Sequence, residues 1–140
     1  MALRRSQIEV GETYREVVVD NLTRTQIVQY AGASGDYNPL HTDEVFAREV
    51  AGYPTVFAHG MLTMAMTGRM VTDYVGDGRL VSFGGRFMAQ VWPGATLTAT
   101  ARVTGFGQLG ADPSVELEIT TTDEAGNEVF RGTAVARIDD

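Results

Sequence analysis

The second half of this chain carries one segment that is apolar nearly all round, followed by four long segments with a two-residue period. Residues 60–75 present apolar or small side chains on almost every side, which is typical of a helix buried by its surroundings. Alternation then predicts strands at 80–92, 95–107, 115–123 and 128–138, joined by short turns. Consecutive strands with short turns form an antiparallel meander. The sequence therefore predicts an α+β fold in which one antiparallel sheet wraps round a long central helix.

Glycines inside these elements predict close contacts. Gly68 lies within the central helix, where glycine costs about 1 kcal/mol relative to alanine. We therefore expect the helix to pack closely against a neighbour at this point. Gly84 and Gly85 lie within a predicted strand, where glycine indicates a bulge or the close approach of another backbone.

Shorter elements are predicted ahead of the central helix. The segment 14–20 is rich in β-branched residues and favours a strand. Thr23 and Gln26 have the spacing of a capping box, in which each side chain bonds the backbone N–H of the other at a helix start. This helix is expected to end by Gly35. Its end leads directly into a loop with an unusual set of polar residues.

That loop pairs a carboxylate with an imidazole. Asp36 and His41 bracket Asn38 and Pro39. Asp36 can accept a proton or orient water, and His41 titrates near neutrality and can serve as acid or base. Asn38 is expected to bond nearby backbone and Pro39 restricts φ, so both are predicted to orient the loop. Two such groups on one short loop suit the addition or removal of water.

A further short helix is predicted after this loop. Pro39 suits the first turn of a helix, and Asp43 and Glu44 would place negative charge near its positive end. Both acids are expected to lie on a solvated face. The helix is predicted to stop before Gly52.

The pair His59–Gly60 opens the central helix and offers a different kind of group. Backbone N–H groups in the first turn of a helix lack acceptors, and the helix dipole favours negative charge there. A thioester or ester carbonyl placed on the Gly60 N–H would find an oxyanion hole, worth on the order of 3 kcal/mol in the transition state. Because glycine has no side chain, nothing at this position would block the approach of the carbonyl to the N–H. His59 is expected to be structural.

Charge and composition exclude several classes of function. The net charge of -7 argues against nucleic acid as a partner, because such binding depends on neutralising phosphates. No apolar run approaches the ~20 residues of a membrane span, and residues 1–9 lack the apolar core of a secretory signal, so a cytoplasmic protein is expected. Cysteine is absent and there are two histidines, which excludes thiolate metal sites and metal sites built on several histidines. No metal and no cofactor are predicted.

These motifs resemble those of MaoC-like (R)-specific enoyl-CoA hydratases and (3R)-hydroxyacyl dehydratases. The resemblance is carried by Ser34-Gly35-Asp36-Tyr37-Asn38-Pro39-Leu40-His41 with Ala47 downstream, by Ala58-His59-Gly60-Met61-Leu62, and more weakly by Arg86-Phe87 to Pro93-Gly94. It covers most of the chain. The segments 1–4, 22–24 and 58–64 look especially like those of the catalytic subunit of the heterodimeric (3R)-hydroxyacyl-ACP dehydratase of mycolic-acid synthesis.

The resemblance implies a single hot dog domain over residues 1–140, dimerised through its sheets. It implies a hydro-lyase of fatty-acid metabolism that interconverts trans-2-enoyl and (3R)-3-hydroxyacyl thioesters of CoA or acyl-carrier protein. Asp36 and His41 would be the catalytic pair that binds the water, and the Gly60 N–H would polarise the thioester carbonyl. Some relatives carry an accessory serine where this chain has Gly68, so no serine receives a role.

Two other functions remain open at this stage. A hot dog thioesterase would direct water onto the carbonyl carbon instead of C3, although the complete hydratase motif disfavours it. A non-catalytic subunit would shape the acyl tunnel of a partner in a heterodimeric dehydratase, but it would be expected to lose Asp36 or His41. The resemblance leaves open whether the partner is a second copy or a related hot dog subunit.

Overall fold

The computed structural model describes residues 2–140, so that Met1 of the predicted domain lies outside the described residues. The elements form one antiparallel sheet and two α-helices. A 3₁₀ helix at Arg5–Gln7 and a π-helix at Phe46–Val50 add short turns. In chain order the main elements are β1 (Thr13–Val19), α1 (Arg24–Ser34), α2 (Gly60–Val75), β2 (Leu80–Phe87), β3 (Leu97–Leu109), β4 (Asp112–Thr122) and β5 (Glu128–Arg137).

The sheet confirms the predicted meander and corrects the place of its first strand. The strand order is β1-β3-β4-β5-β2, with every neighbouring pair antiparallel. β3, β4 and β5 follow one another as expected. β2 was predicted to run to residue 92 and to precede β3 across a turn, but it ends at Phe87 and pairs with β5 at the far edge. The chain then leaves the sheet. Val91 lies against the segment before α2, where its carbonyl O accepts from the N–H of Ala58 (2.8 Å).

The central helix packs against this sheet through most of its surface. α2 contacts β1, β2, β3 and β5, and its exposed positions are confined to one stripe at 61, 65, 69 and 73. A Cβ on Gly68 would lie 3.1 Å from the ring of Phe83 in β2, which confirms the predicted close packing. The arrangement is the hot dog fold that the resemblance implies, a sheet wrapped round a long helix.

The glycines of β2 show the expected close approach of backbones. Side chains on Gly85 or on Gly132 of β5 would overlap backbone atoms of the opposite strand. The irregularity between these two strands lies elsewhere, between Leu80 and Ser82. Gly84 and Gly85 therefore mark a close approach and not a bulge.

The helices that precede α2 bring the polar loop into place. The capping box of α1 is present: Gln26 N–H donates to Thr23 Oγ1 (3.0 Å), and Thr23 N–H donates to Gln26 Oε1 (2.9 Å). α1 ends at Gly35, whose φ of 75° is in the left-handed region. The cap at one end and the glycine at the other determine where the loop begins.

The helix predicted after the loop is shorter than expected. Pro39 lies in a turn ahead of it, and helical backbone begins only at Glu44. Asp43 caps this start, because its Oδ1 accepts from Phe46 N–H (3.1 Å). The helix ends at Val50, before Gly52 as predicted. No helix within residues 2–140 has the length and hydropathy needed to cross a membrane.

Candidate active site

The loop between α1 and the next turn is held by side chains that bond backbone two residues away. Ser34 Oγ accepts from Asp36 N–H (3.2 Å), Asp36 Oδ1 from Asn38 N–H (3.2 Å), and Asn38 Oδ1 from Leu40 N–H (3.0 Å). Serine, aspartate and asparagine form such local turns readily. Each of these side chains therefore holds the backbone two residues further along the loop. Asp36 itself remains exposed at the surface.

His41 closes the loop and has a defined tautomer. Its backbone N–H donates to Asn38 O (3.0 Å), and its Nδ1 lies 2.6 Å from Phe57 O. A carbonyl can only accept, so Nδ1 carries the proton and Nε2 of the neutral ring is free to accept. Burial lowers the pKa of His41 below its ordinary value. The imidazole is therefore suited to act as a neutral acceptor near physiological pH.

His59 connects the start of α2 to this loop. Its Nε2–H donates to the backbone O of Asp36 (3.0 Å), and its ring stacks on that of His41 with centroids 3.8 Å apart. The ring is 2% exposed, and Tyr30 of α1 contacts its edge. His59 therefore has the structural contacts expected of it, but they are made with both members of the predicted catalytic pair.

The structure brings the three titratable side chains together. One side-chain ligand atom each from Asp36, His41 and His59 lies within 4.8 Å of the other two. Their number and type would suit a metal ion, and a ring nitrogen that donates to a backbone carbonyl leaves the other nitrogen able to accept. Nδ1 of His59 is buried and has no partner within residues 2–140. The same acceptors and the carboxylate would also suit a water molecule. The sequence gives no local signal that His59 joins this cluster, since the histidine is brought there by long-range packing.

The Gly60 N–H is available at the first turn of α2. The N–H groups of Leu62 and Thr63 both point to His59 O (3.1 and 3.4 Å), whereas nothing within residues 2–140 accepts from Gly60 N–H. A Cβ at Gly60 would lie 2.9 Å from the ring of Phe87. Glycine thus permits the ring of Phe87 to pack directly against the helix start.

A cleft of about 310 Å³ runs beside this helix start. Its walls are mostly apolar, and its size lies at the lower end of the range for small-molecule sites. The residues that line it are Phe57, Ala58, Gly60, Thr63, Phe87, Met88, Ala89, Gln90, Val91 and Val129. Phe57, whose carbonyl accepts from His41, is one of these residues, whereas Asp36 and His41 are not among them.

Glu44 binds the segment that leads into α2. Its contacts differ from the expectation for this residue. It was predicted to be a solvated acid, but its carboxylate accepts from Thr55 Oγ1 (2.8 Å) and Val56 N–H (3.4 Å). The Thr55 bond is the main reason that the pKa of Glu44 is lowered. Arg24 at the start of α1 lies 3.5 Å from the same carboxylate. These contacts join α1 to the segment that carries Phe57 and His59.

Known proteins share this fold and parts of this sequence. 3-Hydroxyacyl-thioester dehydratase Y of Mycobacterium tuberculosis is 34% identical over 93 residues, which cover 64% of this chain and 32% of that protein. Peroxisomal enoyl-CoA hydratase 2 of Arabidopsis thaliana is 43% identical over 67 residues, 46% of this chain and 21% of that protein. The chain therefore spans about a third or less of the length of these relatives.

A solved structure matches nearly the whole chain. The (R)-hydratase from A. caviae involved in PHA biosynthesis superimposes with a TM-score of 0.82 at 25% identity, covering 94% of this chain and 98% of that one. The family described as MaoC like domain matches residues 5–131. The chain belongs to the MaoC-like domain family.

Proposed function

We propose that this chain catalyses the reversible hydration of trans-2-enoyl thioesters to (3R)-3-hydroxyacyl thioesters. The observation that carries the proposal is that the Asp36–His41 pair lies against the start of α2, where Gly60 N–H has no acceptor within residues 2–140. The cluster of Asp36, His41 and His59 spans 4.8 Å, and Ala58 and Gly60, on either side of His59, line a mostly apolar cleft. The relatives named as a 3-hydroxyacyl-thioester dehydratase and an enoyl-CoA hydratase support this chemistry.

The mechanism follows from the groups present. The Asp36 carboxylate orients a water molecule and takes its proton as the water oxygen forms a bond to C3. The electron pair of the C2–C3 double bond moves towards the carbonyl, which becomes enolate-like. Gly60 N–H donates to that oxygen and stabilises its developing charge. Transfer of the proton taken from water to C2, on the same face, completes the hydroxyacyl thioester and restores the Asp36 carboxylate.

His41 would hold the same water and help to carry the proton that ends on C2. Its Nδ1–H is occupied by Phe57 O, so Nε2 is the nitrogen that can accept from water. The lowered pKa of His41 favours the neutral ring that this role needs. His59 would act as a positioning residue, because it bonds the Asp36 backbone and stacks on His41.

The cleft suggests how the substrate would lie. Its apolar walls would hold the acyl chain beyond C3, while the thioester carbonyl meets Gly60. The carrier would be CoA or acyl-carrier protein.

A dimer is part of the proposal. β2 is an edge strand, so one side of its backbone is unpaired in the single chain. Phe87 and Met88, at the end of this strand, are 50% and 52% exposed. An exposed edge with apolar side chains favours pairing with another chain. We therefore expect this chain to assemble through β2 with a second copy or with a related hot dog subunit.

The test is a hydration assay with trans-2-enoyl-CoA substrates of increasing chain length. The chain is assayed alone and co-expressed with candidate partner subunits, and product configuration is read by chiral chromatography. Wild type should form the (3R) alcohol, and Asp36→Asn should lose about 10²–10⁴-fold in kcat. Release of free thiol without hydration would indicate a thioesterase. Activity that survives Asp36→Asn only with a partner would indicate a non-catalytic subunit.

A further inference from the structure

Two buried threonines of α2 differ in their hydrogen bonding. Thr67 is 0% exposed, and its hydroxyl lies 2.7 Å from that of Thr121 in β4. Thr63 is 2% exposed, and its hydroxyl has no partner within residues 2–140. Thr63 Oγ1 also fails to bond the carbonyl one turn earlier, which is the usual partner of a helical threonine. An unpaired buried hydroxyl is unfavourable, so its retention calls for an explanation.

The position of Thr63 supplies that explanation. Thr63 and Gly60 line the same cleft, and residues three apart share one face of a helix. Helical side chains lean towards the N-terminus, so the Thr63 side chain covers the turn that begins at Gly60. The Gly60 N–H also lacks an acceptor within residues 2–140. Two residues with unused donors therefore lie on one face of the helix start, and both line the cleft.

We propose that Thr63 Oγ–H is a second donor to the thioester carbonyl oxygen and completes the oxyanion hole with Gly60 N–H. This inference rests on the proposed hydratase function. As water adds to C3, the C2–C3 electron pair moves towards C2 and the carbonyl oxygen gains negative charge. Both donors stabilise that charge, and the Thr63 hydroxyl keeps its proton throughout. A site away from water strengthens such hydrogen bonds, and a donor already in place needs no reorganisation.

Thr63→Val tests the proposal because it removes the hydroxyl and retains the shape of the side chain. We expect kcat for hydration of a trans-2-enoyl-CoA to fall about 10- to 100-fold, with a smaller change in KM. Thr63→Ser should retain most of the activity. The melting temperature of Thr63→Val should stay equal or rise, because the variant removes an unpaired polar group.

Thr67→Val is the matched control on the same helix. It removes a hydroxyl that has a partner and leaves Thr121 unpaired, so the melting temperature should fall while the folded variant keeps the wild-type kcat. The opposite pattern, with Thr67→Val lowering kcat and Thr63→Val lowering only stability, would overturn the proposal.

A spectroscopic measurement separates this role from a structural one. In an Asp36→Asn background, a bound dienoyl-CoA should absorb at longer wavelength than in solution, because donors to the carbonyl polarise the conjugated system. Thr63→Val should reduce that shift, and Thr63→Ser should restore it. An unchanged shift and an unchanged kcat would refute the Thr63 role, even if Asp36→Asn abolishes hydration as expected. A wild-type chain that hydrates no enoyl thioester, with any partner, would refute the proposed function and this inference together.

Discussion

The two sides of the candidate site are built in opposite ways. The loop 34–41 lies mostly at the surface, and its side-chain bonds join residues two apart in sequence. At the start of α2, His59 and Thr63 are buried, and the contacts there come from distant parts of the chain. His59 bonds the backbone of Asp36, 23 residues away, and Gly60 packs against Phe87 of β2.

This difference predicts how each side responds to substitution. Side chains of the loop can be exchanged for similar groups with little effect on the packed core. Changes at the helix start disturb packing and the site at the same time. Variants of the loop should therefore lower activity alone, whereas variants of the helix start should lower activity and change stability.

The largest effect is expected at the Asp36–His41 pair. Asp36→Asn keeps an oxygen that accepts from Asn38 N–H but removes the charge, and His41→Gln removes the titrating ring. Each should lower kcat by about 10²–10⁴-fold, and the double variant should lose less than the product of the two, since the pair acts on one water. Melting curves should show Asp36→Asn close to wild type. Near-normal turnover in both folded variants would show that the pair is not catalytic.

His59→Leu should affect both activity and stability. It removes the Nε2–H that donates to Asp36 O and the ring stacked on His41. We expect a loss of about 1–3 kcal/mol in the free energy of unfolding and a fall in kcat of up to about 100-fold, because the loop is misplaced. His59→Gln, which keeps an N–H donor, should recover part of both. A stable His59→Leu variant with full activity would show that the loop needs no support from α2.

Gly60→Ala should have a smaller effect on activity than the changes above. The new methyl group would meet the Phe87 ring, which is half exposed and can move, so kcat should fall by about tenfold, less than the loss of a whole oxyanion donor. Gly32→Ala is the control, because a Cβ there meets nothing within 4 Å. That control should keep full activity and gain about 0.5–1 kcal/mol in stability. Equal kcat values for Gly60→Ala and Gly32→Ala would contradict a close approach of the thioester carbonyl to Gly60.

The smallest effect concerns the pH dependence of stability. Burial lowers the pKa of His41 below its ordinary value of 6.5, so the unfolded chain takes up this proton at a higher pH than the folded chain. The contribution of His41 to stability is therefore complete above pH 6.5 and is lost as the pH falls through the folded pKa. His41→Gln should show a weaker loss of unfolding free energy as the pH falls below 6.5. Identical slopes in wild type and variant would contradict this expectation.

Much of the loop and of the sheet could be predicted because the responsible interactions are local. The capping box at Thr23 and Gln26 is present as predicted, and Asn38 bonds Leu40 within the loop. The β3–β4–β5 meander follows from alternation and short turns. The helix after Pro39 was placed too early, because local pattern does not distinguish a first helical turn from the turn that precedes it.

The sequence by itself determined the identity and spacing of Asp36, Asn38 and His41, and it determined a helix that begins at Gly60. Only the tertiary structure decided that β2 crosses to the far edge beside β5 and that His59 stacks on His41. It also decided that the Thr63 hydroxyl has no partner among residues 2–140. The physical reason is how far apart in sequence the interacting residues are. Turns and caps are made by neighbours in the chain, whereas packing against the sheet depends on how all the elements fill one core.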